Sequence, residues 1–325
     1  MTQLVQTTVE TTKKNSFAIA VLSRLSNKLS KFPAVGFAVL CAACFGVTVP
    51  MTKQSLNELS PLMILVIQSI SSIIFLWSVI FYQKVEIPKK SVALRASLVG
   101  FLEPGLSFIL ATIGLNLTTA SNATLLSVSE PIITIALAAV LLKEKISSPL
   151  IKLALVACVG VGMVASPSIT NITGECLTGD FLVLLGVLCA SLYAIVARPL
   201  LSQAAPLVLV ALQQSFALVL FVLLLGVSQF WGQNAFNFAQ VHIESVLLAV
   251  ISGIIGQGLA FWLYLLTLRT SGVSVTSLYL TLIPLFGVAT AYITLGERLS
   301  FIQTLGGGLI LVVVLFISQL PEAKH

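Results

Sequence analysis

Two glutamates stand deep inside long apolar stretches, and each is followed by proline: Glu103-Pro104 and Glu130-Pro131. The other nine of the eleven acidic residues fall in loops, tails or the ends of apolar runs. A charged side chain at the centre of a bilayer costs ~2.5–3.5 kcal/mol on insertion scales, so such a group persists where it has a use. Three uses are open. A low-dielectric setting favours the neutral acid, so either carboxyl can carry a proton. A carboxylate can also pair with the amine of an amino-acid-like or drug-like substrate. The structural alternative is a protonated glutamate bonded to a serine or a backbone carbonyl. Proline removes an N–H and crowds the preceding turn, which is expected to free the carbonyls of Gly100 and Ser127 for a ligand or water.

Helical spacing aligns each glutamate with small residues. Gly100, Glu103, Ser107, Ala111 and Gly114 form one stripe, and Ala123, Ser127, Glu130, Thr134 and Ala138 another. Small faces pack against helices or border a cavity, whereas bulky ones meet lipid, so both carboxylates are expected to face the bundle interior. Gln68 and Gln213 are mid-span amides at matching places, suited to lining that cavity or to joining helices by a hydrogen bond. Gln257 and Tyr264 flank the corresponding stripe of a later segment. Tyr193, Tyr264, Trp262 and Tyr279 are candidates for aromatic walls or for packing.

The elements that must hold these residues are membrane helices. The chain is 58% hydrophobic and 9% charged, far below the quarter or so of charged residues in soluble domains. Ten apolar runs approach the ~20 residues needed to cross a bilayer: roughly 34–52, 61–82, 92–114, 119–141, 149–166, 180–198, 206–229, 245–267, 273–294 and 301–319. They are continuous rather than alternating, which argues against a β-barrel. With ten spans and a cytoplasmic N-terminus, fifteen of the seventeen Lys and Arg residues fall on the inner side, as the positive-inside rule requires. Both termini are then cytoplasmic. The +6 charge is spread over membrane-flanking loops without base-stacking aromatics, so nucleic acid is not a partner. Residues 17–31 have the spacing of a short basic amphipathic helix on a lipid surface. Of the five cysteines, Cys41 and Cys44 form half a zinc motif without a second pair; packing is the better reading, and no cofactor or metal is implied.

The chain is also duplicated. A gapless shift of 153 residues lays Thr118–Ser147 on Ser271–Ser300, with eight of thirty positions identical. Pro131 matches Pro284 and Glu144 matches Glu297, while Glu130 meets Ile283. The same shift pairs Gly105-Leu106 with Gly258-Leu259. Shifts of 148 and 145 pair Phe45 with Tyr193 and Gln68 with Gln213. The expected organisation is a tail at 1–32, a repeat at 33–167, an outer linker at 168–179, a second repeat at 180–320 and a tail at 321–325. Five spans is an odd number, so the repeats insert with opposite orientation, an arrangement that serves alternating access in many transporters.

Each fourth span ends in Leu-x-Glu-[Lys/Arg]-[Ile/Leu]-Ser: Leu142–Ser147 and Leu295–Ser300. With the preceding prolines, this resembles the EamA repeats of the drug/metabolite transporter superfamily. The resemblance implies a secondary transporter, often an exporter, of a small metabolite across a cytoplasmic membrane, a bacterial inner membrane by default. No Lys or Arg lies deep in a span, which argues against phosphate-ester substrates. No phosphate-binding G-x-x-x-x-G-K-[ST] loop is present and no span contains histidine, which disfavours an ATP-driven pump and a membrane-embedded enzyme. An uncoupled facilitator is the nearest competing reading.

Overall fold

A computed structural model describes residues 34–117, 126, 129–143, 147–165, 174–230, 241–295 and 301–318. The tail helix at 17–31, Ser127, Glu144 and Glu297 lie outside the described residues. Among the described residues every regular element is a helix. In order they are α1 (Ala34–Ser55), α2 (Pro61–Gln83) and α3 (Lys90–Val99). A π-helical segment, Phe101–Leu106, leads into α4 (Ser107–Leu117). Then come α5 (Glu130–Leu141), α6 (Ser148–Ala165), α7 (Gly174–Ala197) with a 3-10 turn at Arg198–Ser202, α8 (Pro206–Phe230) and α9 (Ile243–Ser252). A second π segment, Gly253–Ala260, leads into α10 (Phe261–Ser271), followed by α11 (Val273–Leu280), α12 (Ile283–Leu295) and α13 (Phe301–Ser318).

Six of the described helical stretches are long and apolar enough to cross a membrane. Four shorter apolar helices, Glu130–Leu141, Ser148–Met163, Val273–Gly287 and Thr304–Phe316, accompany them. The surface is apolar where a soluble protein would be charged: Ile74, Phe81, Val140, Phe301 and Leu315 are each more than 60% exposed. The interior instead buries Gln68, Gln213, Gln214 and Gln257 together with many serines and threonines. Apolar outside and amide-rich inside is the distribution a lipid solvent selects.

The two halves are interleaved. α2 packs on α8, α6 on α13, α4 on α7, and α10 on α1. The 153-residue shift carries 101–106 onto 254–259, inside the second π segment, so the same local deformation recurs in both halves. It also carries Gly100 onto Gly253. A Cβ on Gly100 would lie 2.5 Å from the backbone oxygen of Gln213, and one on Gly253 would lie 2.5 Å from that of Gln68. Each half thus seats its third span, through a glycine, on the matched glutamine of the other half. Aromatic rings close the centre: Phe261 meets Phe45 edge-on at 5.3 Å, Phe108 at 5.8 Å and Tyr193 at 6.4 Å.

One end of the bundle carries a polar tie between the halves. Glu58, in the turn between α1 and α2, accepts the backbone N–H of His242 at 2.9 Å and meets its Nδ1 at 2.8 Å. Ser55 Oγ donates to the Ser245 carbonyl at 3.0 Å. The backbone N–H of His242, then the side chains of His242 and Ser245, hold the Glu58 carboxyl below its ordinary value. A carboxyl lowered in the folded state contributes stability above its unfolded value, and that contribution is lost as pH falls through the folded value. Glu58→Gln should therefore unfold at a lower temperature than the parent near pH 7. The gap should persist down to about pH 4.3 and close below it. Thermal unfolding in detergent across pH checks this; a gap independent of pH contradicts it.

Candidate functional site

Glu103 sits where the third span is broken. Proline disfavours the helical region for the residue before it, and Glu103 is extended, with φ −148° and ψ 128°. The Glu103-Pro104 peptide is cis. The turn is re-closed one residue later: the Gly105 N–H donates to the Gly100 carbonyl at 2.9 Å. Contrary to expectation, the proline does not leave that carbonyl free. The straight helical stripe through Glu103 is likewise interrupted, because the stripe assumes helical dihedrals at the one residue that lacks them.

Glu130 opens α5, with Pro131 in the first turn, where a missing N–H costs nothing and a carboxylate suits the helix dipole. The Thr134 hydroxyl, one turn on, donates to Ser191 Oγ at 2.9 Å and ties α5 to α7.

The two carboxylates come together. Both are half-buried, and they lie within electrostatic reach of each other. Tyr264 is within reach of both, and Tyr193 and Cys189 of Glu103. Tyr193 and Tyr264 stack at 6.2 Å. Among the described residues neither carboxylate has a basic partner or a hydrogen-bond donor. Two like charges in a low-dielectric interior, without a counter-charge, need a proton or a cation between them.

The amides divide into two groups. Gln68 Nε2 donates to Thr52 Oγ1 and Ser252 Oγ, both at 2.9 Å. Gln257 Nε2 donates to Gln68 Oε1 at 3.0 Å, and Ser69 Oγ donates to Gln257 Oε1 at 3.0 Å. Gln214 Nε2 caps the Gln257 carbonyl at 3.0 Å. Gln68 and Gln257 therefore form a buried seam joining α1 and α2 to the second π segment. Gln213 belongs instead with the carboxylate cluster, since its Oε1 accepts the Tyr193 hydroxyl at 2.9 Å. Tyr193, Tyr264 and Tyr279 are all buried in core clusters, so packing is part of what each does here. Ser127 lies outside the described residues.

Gln214, Ser69, Thr52 and Ser252 were not singled out from the sequence. Their signal was polar residues inside apolar runs, but serine and threonine are common in membrane helices and satisfy themselves locally. Cys41 Sγ donates to the Ala260 carbonyl at 3.4 Å and is buried, a packing role.

The profile of the EamA-like transporter family matches residues 32–166 and 177–319. This chain belongs to the EamA-like transporter family. The two matched stretches coincide with the halves that the glycine contacts relate, and an EamA chain is a multi-pass membrane transporter of the drug/metabolite type. A solved structure, described only as the crystal structure of a protein, is similar in fold. It has a TM-score of 0.72 at 14% identity, covering 88% of this chain and 96% of that one. No curated protein matches the chain significantly.

Proposed function

We propose that this EamA chain is a proton-coupled secondary transporter that exports a small amine-bearing metabolite, amino-acid-like or drug-like, by alternating access. The observation that carries the reading is the pair of half-buried, mutually close carboxylates beside a broken span, with no described basic residue to neutralise them. A site of this kind binds a cation, and a proton and a substrate ammonium compete for it. Exchange of one for the other couples their movements. The six long and four shorter apolar helices support ten spans in two inverted repeats. Interleaving of the halves gives the two related packings that alternating access needs. The basic residues support cytoplasmic termini.

Purified protein in liposomes tests this with a panel of small metabolites, with and without an imposed pH gradient. Saturable flux that the gradient drives against the substrate's own gradient is expected. Saturable flux that never exceeds equilibration means a facilitator, and overturns the coupling.

A further inference from the structure

The two halves treat their matched glutamines differently. Gln68 is saturated by Gln257, Ser252 and Thr52. The same shifts that relate the halves place Pro104, Val99 and Leu200 at the positions matching those three partners. None of the three side chains can accept a hydrogen bond. Gln213 is 1% exposed, and its Nε2 has no hydrogen-bond partner among the described residues. Its Oε1 is held by the Tyr193 hydroxyl, where the first half has Phe45, without a hydroxyl. A buried amide N–H without an acceptor is destabilising, and accepting the Tyr193 hydroxyl needs only the amide oxygen, so it leaves the N–H group unexplained. The halves also differ in charge: Glu103 in the first half matches Gly256 in the second.

We infer that Gln213 is a specificity-determining residue whose amide N–H group donates to an acceptor oxygen of the substrate, while Glu103 and Glu130 hold the substrate's cationic end. This rests on the reading of the carboxylate pair as the substrate site. Gln213 is oriented through its oxygen by Tyr193, which is itself within electrostatic reach of Glu103, so the amine-binding and oxygen-binding ends of the site share one aromatic wall. Gly100, docked on the Gln213 backbone, links that wall to the broken span. The amide is closed off here, and rocking of the halves is what opens it to the substrate. The substrate class is a zwitterion, or an amine bearing a carbonyl or carboxylate a few bonds away.

The test is equilibrium binding to purified protein of the standard L-amino acids, each beside the amine left when its carboxylate is removed. The parent should bind at least one acid roughly tenfold or more tightly than its amine, the discrimination a charge-assisted hydrogen bond supplies. Gln213→Leu, made together with Tyr193→Phe so that no buried hydroxyl is orphaned, should bring that ratio near one, with amine binding still dependent on Glu103, and keep the unfolding temperature near the parent's. Gln68→Leu, which orphans three partners, should lower it. Glu103→Gln should weaken acid and amine alike. If Gln213→Leu with Tyr193→Phe keeps the ratio, or the parent never prefers an acid to its amine while amines bind and require Glu103, the inference fails and the carboxylate site stands. If no acid and no amine binds the parent, both fall.

Discussion

Glu103→Gln and Glu130→Gln should each cut substrate flux in liposomes by about ten- to a hundredfold, the range of a lost charge-assisted contact, with the protein still folded. Glutamine matches glutamate in shape and keeps a hydrogen-bonding end, so packing around the broken span and around α5 is preserved. What it removes is the capacity to bind a proton or pair with an ammonium. Replacing charge by a neutral isostere in a low-dielectric interior is often neutral or stabilising, so unchanged or higher thermal stability with lost transport is the signature of a functional carboxylate. Because the pair interacts, the double variant should lose little more than the worse single one. Flux equal to the parent at every pH in both single variants would remove the carboxylates from the mechanism.

Gly100→Ala and Gly253→Ala should each destabilise the protein by about 1–3 kcal/mol, the usual cost of overpacking. Alanine is the better helix former by about 1 kcal/mol, so intrinsic propensity predicts the opposite sign. Packing wins because the obstacle is backbone. On Gly100 a Cβ would lie 2.5 Å from the Gln213 oxygen and 2.7 Å from its Cα. On Gly253 it would lie 2.5 Å from the Gln68 oxygen and 2.6 Å from its Cα, besides meeting Ser71 Oγ. Neither contact yields by rotating a side chain; the helices must separate at the junction between the halves. Gly226 and Gly308 provide the control, since nothing lies within 4 Å of a Cβ at either. Alanine there should be neutral or stabilising. Thermal unfolding of the four variants decides the matter, and equal effects at all four would show that the close contacts carry no weight.

Much of the architecture was legible because lipid imposes simple rules. Apolar runs mark helices, and a repeated Pro and Glu pattern marks duplication. The deformation at Glu103 was legible in kind, because proline forbids the regular helix there. Its resolution was not: whether the Gly100 carbonyl would stay free depends on how the chain re-forms its turn, and a single wider turn to Gly105 absorbed it. The pairing of Gln68 with Gln257 was beyond reach for a different reason. Those residues are 189 apart, and the bond exists only because one half's third span lies on the other half's second. Gln68 and Gln213 match in sequence. Their difference resides in what surrounds them, which the repeat alignment exposes only after the contacts around Gln68 are known. The family motif at 142–147 and 295–300 identified the chain while lying largely outside the described residues.

The central claim is that Glu103 and Glu130 form one cation-binding site, which requires both to be reached from water on the same side. The most direct measurement replaces them singly by cysteine, in a background from which Cys41, Cys44, Cys158, Cys176 and Cys189 have been removed. Each variant is reacted in sealed vesicles with a membrane-impermeant thiol reagent applied to one side at a time. The account predicts that both positions react with the aqueous reagent and that both do so from the same side. Reaction of either position only with a lipid-soluble reagent, or reaction of the two from opposite sides, would contradict it.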